Sequence, residues 1–83
     1  MTDVNELVEE GEVLVREGKL RKALVCFRKA VDLAPEDPSL HNSIGMAEMA
    51  RRKPRRALQA YQQASDLAPD IARYHARCGD ALQ

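Results

Sequence analysis

A thirteen-residue phrase occurs twice in this chain, and it limits the possible folds more than any other feature. ALVCFRKAVDLAP at 23–35 lies over ALQAYQQASDLAP at 57–69 without a gap; seven of the thirteen positions are identical, and Phe27 falls on Tyr61. Three glycines keep the same step, Gly11, Gly45 and Gly79. A repeat of this length is one supersecondary unit used again, and such a unit buries its apolar face only by stacking on a neighbour.

Within each unit the apolar spacing is helical. Val4, Leu7, Gly11 and Leu14 recur at three and four residues, which sets them on one helical face. Asp3 is placed to cap that helix, with Glu6 three residues on completing something close to a capping box. After Gly18 a second stripe runs through Leu20, Ala23, Leu24, Phe27, Ala30 and Val31, and it stops near Ala34 because Pro35 has no amide proton. Asp37 and Pro38 suit the start of a third helix, with Leu40, Ile44 and Ala47 inward. A fourth carries Ala57, Leu58, Tyr61, Ala64 and Leu67 up to Pro69, and a fifth carries Ile71, Cys78 and Leu82. No sustained two-residue alternation and no Asn-Gly or Asp-Gly turn competes with this reading. The expectation is an all-α chain of about five helices in two and a half hairpins. A glycine inside a helix costs about 1 kcal/mol relative to alanine. Three in register therefore predict close backbone approach of a paired helix, with Ala23, Ala57, Ala30 and Ala64 as small partners.

The chemistry-bearing residues are sparse. His41 and His75 occupy the same slot of successive units, and helices roughly 8–10 Å apart hold two such rings too far apart for one ion. No metal and no cofactor is expected. Cys26 and Cys78 lack a C-x-x-C setting and read as free thiols of a reducing cytoplasm. Single glycines, far apart in the chain, cradle no phosphate. Nothing points to an enzyme within the 83 residues. With 13 basic and 13 acidic residues, charge balance argues against a general nucleic-acid or membrane-surface binder. RRKPRR at 51–56 is the exception, and it reads as a solvated turn without exposed aromatics for base stacking. No run is apolar enough to span a bilayer, and the acidic N-terminus lacks the layout of a signal peptide.

The spacing resembles the tetratricopeptide repeat (TPR), whose pattern is W-x2-L-G-x2-Y, then A-x3-F, then P. The first unit has Leu7, Glu10, Gly11 and Leu14, then Ala23 and Phe27, then Pro35. The second has His41, Ile44, Gly45 and Glu48, then Ala57 and Tyr61, then Pro69, and the third begins at His75, Cys78, Gly79 and Leu82. Leu7, His41 and His75 replace the leading aromatic, and Glu10 and Glu48 stand where the pattern is apolar. Met49, one step along, is expected to turn inward in place of Glu48.

The resemblance implies a TPR-like α-solenoid of antiparallel helix pairs: repeat one at 4–37, repeat two at 38–71 and a partial third at 72–83. It implies a protein-interaction module of scaffold or adaptor type, taking a peptide or partner helix in a concave groove lined by the first helix of each pair. Val8, Glu12, Val15, Asn42, Met46, Met49, Arg73 and Arg77 map to that groove. A subfamily that grips carboxylate tails uses Lys, Asn and Asn where Val8, Glu12 and Ser43 stand here, and Glu12 would repel such a tail. Arg73 and Arg77 do fit, so an acidic group on the partner is expected beside them. Two alternatives are self-association through the end bearing Cys78 and Leu82, and an accessory domain of a larger enzyme continuing after Gln83.

Overall fold

A computed structural model describes residues 3–72 and 76–79. Four helices follow in order, α1 (Val4–Arg16), α2 (Leu20–Leu33), α3 (Pro38–Ala50) and α4 (Pro54–Leu67). Ala72 and residues 76–79 are helical as well, in the place expected for a fifth helix. Each helix packs on the next: α1 on α2, α2 on α3 and α3 on α4. The described residues contain no strand. None of their helices is long and apolar enough to cross a membrane.

Local chemistry sets the helix ends, and it alternates. Asp3 accepts a hydrogen bond from the Glu6 amide at 2.8 Å, capping α1. Asp37 caps α3 through the Ser39 amide at 3.0 Å, with Pro38 in the first turn. α1 and α3 both close in a Schellman turn. In the first, the Gly18 and Lys19 amides return to the carbonyls of Val15 and Leu14; in the second, Arg52 and Lys53 return to Met49 and Glu48. α2 and α4 instead end at Ala34 and Ala68, each extended ahead of a proline with φ near −140 and ψ near 70.

The Schellman turn needs a left-handed residue. Gly18 supplies it at φ 78, while Arg52, the equivalent residue of the second unit, is held at φ 61. A side chain pays for that conformation in sterics that glycine avoids. Arg52→Gly should therefore stabilise the chain by about 1 kcal/mol, and Gly18→Ala should destabilise it by about the same. Urea midpoints for the two variants, moving in opposite directions, check this.

The core is a row of small residues around two rings. Ala23, Leu24, Phe27 and Ala47 form one buried cluster, with Leu14, Val15 and Ile44 packed against it. Leu7, Ala30 and Leu40 form a second, supported by Val4, Val8, Val31 and Ala34. Ala57 and Tyr61 form a third, covered in part by Met49, Leu58 and Cys78.

Two expectations need correcting here. The helical glycines do not serve backbone-to-backbone contact. A Cβ on Gly11 would lie 2.6 Å from the Phe27 ring, and one on Gly45 would lie 2.3 Å from the Tyr61 ring. Each glycine is the seat of the aromatic sixteen residues later. At Gly79 nothing among the described residues lies within 4 Å of the corresponding position. Nor does Met49 replace Glu48. Glu48 stays inside at 1% exposure, paired with Arg51 at 2.8 Å, while Met49 packs on the Ala57 and Tyr61 cluster. Arg51 is three residues along the helical path and can return to Glu48; a buried carboxylate needs such a partner.

Candidate functional site

The first helix of each hairpin contributes one wall of a shared depression. Glu12, Val15 and Arg16 of α1 face Ser43, Met46 and Ala47 of α3 across a hollow of about 260 Å³, with Phe27 at its base. A second hollow of about 190 Å³ lies beyond it, between Met46 and Met49 of α3, Tyr61 of α4 and Arg77. Met46 belongs to both and is 46% exposed. The rings that fill the space above Gly11 and Gly45 thus also floor the two hollows, so one packing device builds core and surface together.

Helical spacing explains which side chains arrive. Glu12, Val15 and Arg16 stand at three and four residues along α1, and Asn42, Met46 and Met49 do so along α3. Asn42 is half-buried and directs its Nδ2 to the Met46 sulfur at 3.6 Å, which orients the thioether. Its Oδ1 is buried with no hydrogen-bond partner among the described residues. Glu12 lies at one end of the row and Arg77, half-buried, at the other.

The structure gathers most of the expected groove residues, but not all. Glu12, Val15 and Met46 share the first hollow; Met46, Met49 and Arg77 share the second. Val8 lines neither hollow and packs instead against Leu7, Ala30 and Leu40. Arg73, with His75 and Leu82, lies outside the described residues. Arg16 and the two aromatic floors were missed. Arg16 was legible, since it follows Glu12 by one turn on the same face. The role of the rings was not, because it depends on how far each reaches past its glycine.

The remaining polar groups are committed elsewhere. His41 is 8% exposed and its Nε2 lies 3.2 Å from the Pro35 carbonyl, so the ring ties α3 to the end of α2. Among the described residues no cluster of three or more His, Cys, Asp or Glu side chains is placed to hold a metal ion. Burial raises the Cys26 thiol, Glu10 raises it further and Lys29 partly offsets this. Burial and then Asp66 raise the Cys78 thiol. Both therefore stay protonated near neutral pH, the opposite of a reactive thiolate. The basic run is not uniformly solvated: Arg51 is drawn in to Glu48, and Arg52, Lys53, Arg55 and Arg56 are exposed.

No protein-family model matches the sequence, and no curated protein matches it. Among solved structures, the crystal structure of the Sgt2 TPR domain from Aspergillus fumigatus is similar, at 22% sequence identity and a TM-score of 0.89. The likeness covers 94% of this chain and 52% of that one, so the chain spans about half the length of the structure it matches. Paired helices, glycine-seated rings and proline-ended second helices agree with that likeness: the chain has the tetratricopeptide-repeat fold.

Proposed function

We propose that the chain is a protein-interaction module that holds an extended or helical segment of a partner along the row Glu12, Val15, Met46, Met49 and Arg77. The repeat units at 4–37 and 38–71, with a partial third from 72, supply successive first helices to that row. The observation that carries this reading is Met46. It is a large apolar side chain left 46% exposed and shared by two adjoining hollows, which joins them into one apolar patch. A flexible thioether suits a surface that must adapt to the segment it receives. Charge sets direction at one end: an acidic group of the partner lies toward Arg77, whereas Glu12 at the other end is offset by Arg16 in the same hollow.

The test uses peptides selected from a random display library on the immobilised chain. Their affinities are then measured by fluorescence anisotropy for the parent, Met46→Glu and Arg77→Glu. The expected result is binding weakened at least about tenfold by either change, with acidic residues enriched at one end of the selected peptides. Circular dichroism should show both variants folded, as Met46 is exposed and Arg77 half-buried. Equal affinity for all three proteins, or no peptide selected, would sink the reading.

A further inference from the structure

The balanced total of 13 basic and 13 acidic residues conceals a division that the fold makes. The core clusters fix which helix ends meet. Leu14 and Val15 near the end of α1, Ala23 and Leu24 near the start of α2 and Ala47 near the end of α3 pack together. Met49 at the end of α3 packs on Ala57 at the start of α4. The turns between α1 and α2 and between α3 and α4 therefore share one pole of the helix array. Leu7, Ala30 and Leu40 join the start of α1, the end of α2 and the start of α3 at the other pole. Asp66 and Leu67, from the end of α4, border Pro35 and His41 there.

Bases collect at the first pole and acids at the second. Arg21 and Lys22 follow one turn of the first pole, and Arg52, Lys53, Arg55 and Arg56 form the other; all are exposed, and among the described residues none is ion-paired. The acids near them are already engaged: Glu17 contacts Lys19 at 3.7 Å and Glu48 contacts Arg51 at 2.8 Å. No acid occurs from 49 to 65. The second pole carries Asp3, Glu36, Asp37, Asp66 and Asp70, and no lysine or arginine occurs from 30 to 50 or from 57 to 72. α2 and α4 are 14 residues long, so the poles stand about 20 Å apart. Charges are screened over about 8 Å at physiological salt. An anion at the basic pole is thus shielded from the acids of the other, and the balanced total says nothing of what that pole attracts. Some of this charge is held against local preference. Arg52 stands at φ 61, where the first unit has Gly18, and the first turns of α2 and α4 carry bases where the helix dipole favours acids.

The chemistry of the pole narrows the partner. Most of its free cations are guanidinium groups, whose planar forks match the oxygens of phosphate or carboxylate. The exposed large apolar side chains of the described residues, Val13, Val25, Leu33, Met46 and Leu67, all lie outside 16–22 and 50–56. A protein partner needs an interface centre depleted of charge, and a single strand needs aromatic rings for its bases. Stable seating on a lipid surface needs an apolar anchor beside the basic patch. A duplex backbone needs none of these, and it offers one negative charge per about 1.7 Å of its axis.

We propose that this pole is a binding surface for the phosphate backbone of double-stranded nucleic acid. Arg21 and Lys22 of one turn and Arg52, Lys53, Arg55 and Arg56 of the other hold phosphate oxygens and read no sequence. The surface lies at the turns and not on the row through Met46, so it does not rest on the groove reading above.

The test is fluorescence anisotropy of a short labelled DNA duplex, titrated with the chain from low to physiological salt. Affinity should fall with salt along a log–log slope of about −4 or steeper, since each neutralised phosphate contributes about −0.9. Arg55→Gln with Arg56→Gln should weaken binding at least about tenfold and flatten the slope by about 2. This variant should unfold at no lower urea concentration than the parent, because bases in the first turn oppose the helix dipole. Gln62→Glu with Gln63→Glu makes the same change in net charge two turns along α4, on exposed side chains, and should cost far less affinity. No binding of the duplex by the parent overturns the proposal, as does a slope shallower than about −2. Equal losses from the two variants overturn it as well. So does tighter binding to phosphatidylserine vesicles, or to an oligoglutamate carrying the duplex's charge, which would make the pole a membrane or protein contact.

Discussion

Phe27→Ala should destabilise the chain by about 3–5 kcal/mol, and the second substitution that reports on it is Gly11→Ala. Phe27 is 1% exposed and its ring occupies the space above Gly11, 2.6 Å from where a Cβ would stand. In the parent, the added methyl must push a buried ring aside, a cost of about 1–3 kcal/mol that outweighs the roughly 1 kcal/mol alanine gains in helix propensity. With the ring removed the clash disappears and the propensity remains. Gly11→Ala should then stabilise the Phe27→Ala chain by about 1 kcal/mol. The double-mutant cycle carries the argument, since two residues in contact should show an interaction energy of about 1–3 kcal/mol. Urea unfolding in a fixed concentration of a stabilising osmolyte keeps a folded baseline for every variant. If Gly11→Ala costs the same in both backgrounds, the glycine serves the helix backbone and not the ring. The identical cycle at Gly45 and Tyr61 should give the same sign.

Arg51→Ala should be the other costly change, at about 3 kcal/mol. It leaves Glu48, 1% exposed, without the guanidinium that now sits 2.8 Å from its Oε1. Removing the acid instead should be mild. Glu48→Leu strands only Arg51, whose side chain keeps 17% of its surface in water, and leucine already occupies the equivalent position of the first unit at Leu14. Replacing a buried ion pair by apolar contact is commonly neutral or stabilising. The expected order of urea midpoints is therefore Glu48→Leu at or above the parent, and Arg51→Ala well below it. Arg51→Ala combined with Glu48→Leu should recover most of the loss. If Arg51→Ala matched the parent, Glu48 would have to reach water by another route, and the pair would be an ordinary surface contact.

Most of the element boundaries were legible in the residues because their causes are local. Asp3 and Asp37 cap helices through amides two or three residues away, and Pro35 and Pro69 stop them by stereochemistry within one peptide unit. The groove row was partly legible for the same reason. Three- and four-residue spacing places Glu12 with Val15, and Asn42 with Met46 and Met49, whatever the helices pack against. Val8 shows where that reasoning fails. Helical spacing puts it one turn from Glu12, yet its surroundings are Leu7, Ala30 and Leu40, because α2 and α3 close over that end of α1. Glu48 fails in the opposite direction: a carboxylate in an apolar slot suggested rotation outward, and a pairing three residues away made rotation unnecessary.

The sequence by itself determined the period, the helices, their ends and the turn proline, since each follows from short-range interactions along the chain or from the register of the repeat. Tertiary structure decided what the repeated positions are for. Gly11 and Gly45 look alike on paper with Gly79, and it is the fold that shows what the first two are for: each lies beneath a ring. Leu7 and His41 fill one slot of the repeat, but one packs with Ala30 and Leu40 and the other bonds the Pro35 carbonyl. A repeat makes positions equivalent along the chain. Stacking makes them unequal, because the contacts each one makes follow from its neighbours rather than from register.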